Sequence, residues 1–222
     1  MLFDFKREMP LLLLCLICSY LMGSINFAIL LSKFFSKKDI RNLGSGNAGF
    51  SNMLRSVGVL PSVITFLGDF AKGAISMIFG ILVCKKFHYE YLGTYLFLMI
   101  VELFCCLGHM FPCFFKFRGG KGILTTWACI FFVDWRVAII LISIFLISLI
   151  ISKIVSLSSI IVSVSYPLLV CVFNKIRLDI SIVPFIISLL VSLMIIIRHK
   201  DNIIRLIHRE EKKISLNKGQ KW

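Results

Sequence analysis

Apolar runs and polar interruptions alternate along the chain. Seven apolar segments stand out: about Pro10 to Phe35, Val57 to Cys84, Tyr91 to Phe115, Ile123 to Val133, Val137 to Ser152, Ile154 to Phe173 and Ile180 to Ile197. A helix needs about 20 predominantly apolar residues to cross a bilayer, with a range of about 17–25. Ile123 to Val133 falls short of this and reads as a partial helix covered by its neighbours, because a helix keeps its backbone bonds internal. Asp134-Trp135-Arg136 separates it from the next segment; the alternative is that the two form one long kinked helix. The pattern predicts an all-α integral membrane protein with about seven transmembrane helices, forming a single membrane-embedded domain over residues 1–222. The run from Pro10 to Leu31 is too long for a signal-peptide core and reads as the first span.

Composition agrees. The chain is 59% hydrophobic and only 16% charged, with a mean hydropathy of +0.94, where soluble domains are about 45–50% apolar. The net charge is +14. With seven spans and the N-terminus outside, seventeen basic residues fall on the cytoplasmic side: Lys33, Lys37, Lys38, Arg41, Arg55, Lys116, Arg118, Lys121, Lys153, and Arg198, Lys200, Arg205, Arg209, Lys212, Lys213, Lys218 and Lys221 in the tail. Seven (Lys6, Arg7, Lys85, Lys86, Arg136, Lys175 and Arg177) fall outside. That bias sets the C-terminus in the cytoplasm. The basic residues sit in short membrane-proximal loops rather than on a soluble face, which argues against nucleic acid as a partner and is compatible with membrane lipids.

Eight cysteines lie in or beside apolar segments and read as small packing residues; Cys15 and Cys18 form a CxxC, but inside a leucine-rich span. No cluster has zinc-ligand spacing, and HExxH, GxSxG and the HxxxxD dyad are all missing. No metal or cofactor is expected.

Two polar loops carry the candidate chemistry. Gly44-Ser45-Gly46-Asn47-Ala48-Gly49-Phe50-Ser51-Asn52-Met53-Leu54-Arg55 has three glycines, three asparagine or arginine side chains and no acidic residue. Glycines can fold a main chain into a concave nest of N–H donors, and an arginine can close over the trapped oxygens. The loop is therefore read as a phosphate site built from Gly44, Ser45, Gly46, Asn47, Gly49, Asn52 and Arg55; a plain cytoplasmic turn is the alternative. The second loop, Arg118-Gly119-Gly120-Lys121-Gly122, lacks P-loop spacing. Gly119, Gly120 and Lys121 are read either as a phosphate contact or as a basic turn. A third group, His199, Asn202 and Arg205 with Glu211, follows the last apolar segment, and the tail is expected to continue that helix with the three in one stripe. It is either a polar site or an interfacial helix end. Within the spans, Asp69, Lys72, Glu102 and His109 are costly at membrane depth unless paired. Asp69 and Lys72, three apart, suit an ion pair or a substrate role, and His109 with Pro112 marks a hinge or gate at the end of the third segment.

These motifs carry a resemblance. Gly23-Ser24-Ile25, GSGNxGxxNxxR over 44–55, Asp69 with Lys72-Gly73, Gly108-His109 with Phe111-Pro112, GGKG over 119–122, and His199-x-x-Asn202-x-x-Arg205 before Glu211 occur in this order along nearly the whole chain. The chain resembles the bacterial membrane glycerol-3-phosphate acyltransferases that use acyl phosphate as donor, the PlsY family. The resemblance implies a seven-helix protein of the bacterial inner membrane with its active site facing the cytoplasm. It implies acyl transfer from acyl phosphate to the 1-hydroxyl of glycerol 3-phosphate, giving lysophosphatidic acid and phosphate. Catalytic or phosphate-binding roles then carry over onto Ser45, Arg55, Lys121, His199 and Asn202, and the soluble enzyme that makes acyl phosphate becomes a candidate partner. The chain departs from the family in three places: Asn26 where proline is usual, Leu124 where alanine is usual, and Arg209-Glu210 where Gly-Thr usually precedes the last glutamate. The rival reading from the residues themselves is a small phosphate or anion transporter, against which the lack of an internal repeat speaks.

Overall fold

The computed structural model describes residues 5–177 and 181–213. They hold α1 (Phe5–Ser24), α2 (Phe27–Ser36), α3 (Phe50–Ser56), α4 (Val59–Lys86), α5 (Tyr91–Met110), α6 (Ile123–Val133), α7 (Trp135–Ser152), α8 (Val155–Ile176), α9 (Val183–Arg198) and α10 (Lys200–Ile207). No strand occurs among the described residues. Five stretches are long and apolar enough to cross a membrane: Arg7–Ser36, Val59–Lys86, Leu92–Phe115, Trp135–Ser152 and Val155–Ile176. The pair α9 and α10 makes a sixth if counted as one broken span. With 11 residues, α6 is too short to cross, as its sequence indicates. The start of the seventh apolar segment at Ile180, and Lys218 and Lys221 in the tail, lie outside the described residues.

Local chemistry sets most breaks. The first apolar segment is not one helix. Asn26 takes an extended conformation and its side chain accepts the Ile29 N–H at 3.0 Å, so a polar cap stops α1 and starts α2. Pro112 ends α5 at Met110. Asp134 caps α7 by accepting the Arg136 N–H at 3.0 Å, which keeps α6 and α7 separate helices rather than one kinked one. The tail expectation needs correction: the chain bends by 61° at His199, and α10 starts a new direction instead of continuing α9. Asp201 in the first turn of α10 suits that fresh start.

The chain divides into two compact units, residues 1–133 and 134–222. In the first, small residues let helices approach closely, the usual device where lipid removes any hydrophobic drive between helices. A side chain at Gly23 would strike the Cys105 carbonyl, one at Gly108 the Tyr20 carbonyl, and one at Gly73 the Thr125 carbonyl and Ala128. Cys15, Met77, Cys84, Leu98, Val101, Cys105 and Cys129 pack together as its apolar core. All eight cysteines are free thiols. A smaller cluster of Ala28, Ile29, Ile40, Ala48 and Met53 joins α2 to the first glycine loop. In the second unit, Lys153 takes a left-handed conformation to turn α7 into α8, and Ser158 Oγ donates to Ser148 Oγ at 3.1 Å between them. Asp134 pairs with both Arg136 and Arg177, whose guanidinium groups lie 5.1 and 5.9 Å from the Phe173 ring.

Candidate active site

The first loop is organised by one buried side chain. Asn52, on α3, reaches back: its Nδ2 lies 3.2 Å from Ile40 O, 2.9 Å from Leu43 O and 3.0 Å from Asn47 O. Its Oδ1 accepts the Ser45 N–H at 3.0 Å and the Ser56 hydroxyl at 3.3 Å. Gly44, at φ +54°, lies so close to Asn52 that any Cβ would collide with Oδ1. Ahead of the loop, Asp39 and Arg41 form a two-point pair, with Nε to Oδ1 at 3.0 Å and Nη2 to Oδ2 at 2.8 Å. The hydrogen bond from Arg41 outweighs partial burial and holds the Asp39 carboxyl below the ordinary carboxylate range.

The second loop returns along the end of α5. The N–H groups of Gly119 and Gly120 both donate at 3.2 Å, to Met110 O and His109 O respectively. Gly120 lies between His109 Nε2 and Ala48 O, where a side chain would strike both. The two glycine loops, about 70 residues apart in sequence, therefore touch. Arg41, ahead of the first loop, adds a further tie: its Nη1 donates to Phe115 O at 2.9 Å and Arg118 O at 3.3 Å. Asn26 Nδ2, at the α1–α2 break, reaches Ala48 O of the first loop at 3.4 Å.

This geometry corrects one expectation about mechanism. The Ser45 N–H is held by Asn52, the Gly46 N–H donates to Leu43 O at 2.9 Å, and the Gly49 N–H to Asn47 O at 3.1 Å. With Gly119 and Gly120 also bonded within the protein, these five backbone donors do not form an open anion nest. The glycines serve left-handed turns and close approach instead; Gly44 and Gly46 have φ of +54° and +71°. The Ser45 side chain is exposed, and Arg55 and Lys121 are half-buried.

Beneath the loops lie the membrane-depth charges. Asp69 and Lys72 form an ion pair at 2.8 Å, and Lys72 Nζ also lies 2.8 Å from Ile25 O and 2.8 Å from His109 Nδ1. All three side chains are buried, as is Glu102. His109 is thus a packed contact under the second loop, where a hinge or gate was expected.

The second unit holds the third group. Asn202 Nδ2 and Arg205 Nε donate to Glu211 at 2.7 Å each, and Ser156 Oγ donates to the same carboxylate at 2.8 Å. Burial would raise the Glu211 pKa, but these three donors together outweigh it and hold the carboxyl below its usual range. His199 is buried, with Nδ1 2.8 Å from Ile195 O. A carbonyl can only accept, so Nδ1 carries a proton. Arg209 adopts φ +59°, a left-handed conformation that favours glycine. Its N–H bonds Leu206 O and the next N–H, of Glu210, bonds Arg205 O, a Schellman end to α10. The unusual residue thus keeps the turn that delivers Glu211.

Sequence reasoning gave no structural role to Asn26 or Arg41. A lone asparagine inside an apolar run was the available signal for the first. For Arg41, nothing local distinguishes it from the other basic residues of its loop.

The family model described as glycerol-3-phosphate acyltransferase matches residues 13–209. The chain is 37% identical to a glycerol-3-phosphate acyltransferase of Prochlorococcus marinus (strain MIT 9515), over 93% of this chain and 99% of that protein. It is 36% identical to one from Finegoldia magna, over 93% and 98%. Among solved structures it is similar to PlsY (YgiH), an integral membrane glycerol 3-phosphate acyltransferase, in its glycerol 3-phosphate form, with a TM-score of 0.79 and 32% identity over 92% of this chain and 96% of that one. The lysophosphatidic acid form of that protein gives a TM-score of 0.75 at 31% identity.

Proposed function

Because the chain belongs to the glycerol-3-phosphate acyltransferase family, we propose that it transfers a fatty acyl group from acyl phosphate to the 1-hydroxyl of glycerol 3-phosphate, releasing lysophosphatidic acid and phosphate. The observation that carries this reading is the contact of the two glycine loops at Gly120 and Ala48, each loop bearing a cation, Arg55 on one side and Lys121 on the other. Cationic side chains offset the charge of a phosphate monoester, and Arg can engage it with two parallel hydrogen bonds.

Acyl phosphate is an activated mixed anhydride. The glycerol hydroxyl oxygen forms the new C–O bond at the acyl carbon, the anhydride C–O bond breaks, and phosphate leaves with the electron pair. No covalent enzyme intermediate is needed, so binding and orientation are the main contributions. Arg55, Lys121 and the Ser45 hydroxyl hold phosphoryl oxygens in this reading, with side chains doing what the internally bonded amides of Ser45, Gly46, Gly49, Gly119 and Gly120 do not. Asn52 shapes the loop, and Gly44 and Asn47 complete it. His199 and Asn202 act in catalysis or substrate binding, with Arg205 behind Asn202 on Glu211. The hydroxyl proton passes either to His199 Nε2 or to a phosphate oxygen of the substrate. His199→Ala and His199→Gln separate these: a rate lost in alanine and restored by glutamine removes the base role.

The protein is a multi-pass membrane enzyme. We further propose that residues 1–222 act as one domain in the bacterial inner membrane, with about seven helices, the N-terminus outside and the active site on the cytoplasmic side, where it meets the soluble enzyme that makes acyl phosphate. One experiment tests the reaction. The purified protein in detergent is given labelled glycerol 3-phosphate with either palmitoyl phosphate or palmitoyl-CoA. Labelled lysophosphatidic acid with equimolar phosphate release from the first donor alone is expected. Product from palmitoyl-CoA alone would overturn the donor, and no product from either would overturn the reaction.

A further inference from the structure

The buried Lys72 is not among the residues given roles above, yet it touches the supports of both loops. Lys72 Nζ has three polar neighbours at 2.8 Å: Asp69 Oδ1 on its own helix, with which it forms an ion pair, Ile25 O at the break between α1 and α2, to which it donates, and His109 Nδ1 at the end of α5. Each contact leads somewhere useful. Ile25 precedes Asn26, whose side chain caps α2 and reaches Ala48 O in the first loop. His109 carries the second loop: its carbonyl accepts the Gly120 N–H, and its Nε2 lies against Gly120. Thr125 Oγ1, which donates to Asp69 O at 3.3 Å, also approaches His109 Nδ1 at 3.4 Å.

We propose that Lys72 is a positioning residue for the acyl transfer: by pairing with Asp69 and bonding the α1–α2 break and His109, it fixes the His109 ring and sets the spacing of the two glycine loops. This rests on the reading that those loops grip the substrate's phosphate. The arrangement has a chemical signature. An ammonium can only donate, so Nδ1 of His109 must be the acceptor. The ring is then neutral, with its proton on Nε2, the atom that faces Gly120. A side chain kept merely for bulk would impose no tautomer.

The spectroscopic test needs no variant. In protein labelled with ¹⁵N-histidine, the His109 signal, assigned by its loss in His109→Asn, should show an unprotonated Nδ1 and a protonated Nε2. A protonated Nδ1 overturns the proposal. The kinetic test uses Asp69→Asn/Lys72→Met, which removes both charges together so that neither is left buried alone. It should melt like the parent while kcat falls and the glycerol 3-phosphate KM rises, with kcat/KM down roughly tenfold or more. An unchanged kcat/KM in a folded double variant overturns it. If that variant does not fold, a second comparison decides. His109→Asn keeps an acceptor, Oδ1, near the place of Nδ1, and should retain turnover that His109→Leu loses; equal rates overturn the proposal. Failure of the function reading looks different, because the parent protein would then make no lysophosphatidic acid while the histidine signature stood.

Discussion

Asn52 Oδ1 accepts the backbone N–H of Ser45 at 3.0 Å while its own amide N–H groups face three carbonyls of the same loop. A single buried side chain thus replaces the hydrogen-bond ladder that an irregular loop lacks. With two amide N–H donors and two bonds accepted at Oδ1, a net contribution near 1 kcal/mol per bond puts the staple at about 4 kcal/mol. Asn52→Ala should therefore melt earlier and lose most acyltransferase activity. Asn52→Asp should be worse, because a carboxylate would face those carbonyls with no donor. Thermal unfolding in detergent beside initial rates checks this ordering; an aspartate variant as active as the parent would refute it.

Gly120 is a point of contact between loops, so its lack of a side chain is a steric requirement. Gly120→Ala would push against His109 Nε2 and Ala48 O and should lower kcat/KM for glycerol 3-phosphate by roughly a hundredfold, the scale of a 1 Å misplacement. Gly93, on α5, meets only ordinary contacts with Tyr89 at 3.8 Å. Gly93→Ala should keep full activity and gain up to about 1 kcal/mol of helix stability. The same two assays on both variants make the comparison.

Glu211 supplies a pH-dependent contribution to stability. Its folded pKa is depressed, so the stabilisation is complete above the unfolded value of about 4.3 and is lost as pH falls through the lower folded value. The melting temperature of the parent minus that of Glu211→Gln should stay constant from neutral pH to about 5, then shrink as acid protonates the carboxylate that Arg205, Asn202 and Ser156 hold. A difference that grows on acidification would contradict the assignment.

Arg209 occupies a left-handed position at φ +59° that closes α10. A residue with a Cβ is about 1–2 kcal/mol less favourable there than glycine. Arg209→Gly should raise the melting temperature without reducing turnover, because the bonds of Arg209 N–H to Leu206 O and Glu210 N–H to Arg205 O are backbone bonds that glycine can make. A lowered melting temperature would show that the arginine side chain itself holds the tail.

Much of the helix inventory was legible in the sequence, since long apolar runs have few alternatives in a bilayer. The break at Asn26 lies where one polar residue competes locally with an apolar background that a window average smooths over; the one at His199 falls inside a polar run, 198–202, whose pattern does not say which way the helix turns. Candidate residues were legible for a related reason: glycines, cations and amides in a membrane chain stand out against their setting. Their tasks were less so. Asn52 and the loop amides looked like ligands for an anion, yet they bond to one another. Which of two possible partners a donor chooses depends on positions that only folding supplies.

By itself, the order of residues determined a multi-pass helical membrane protein and the motifs that mark its family, because burial in lipid and close backbone approach each demand particular residue types at particular spacings. Only the tertiary structure decided that Gly120 rests against Ala48, that Lys72 joins Asp69, Ile25 and His109, and that Glu211 gathers Asn202, Arg205 and Ser156. Those are contacts between distant stretches, set by how helices cross, and no local propensity encodes where two separate helices will meet.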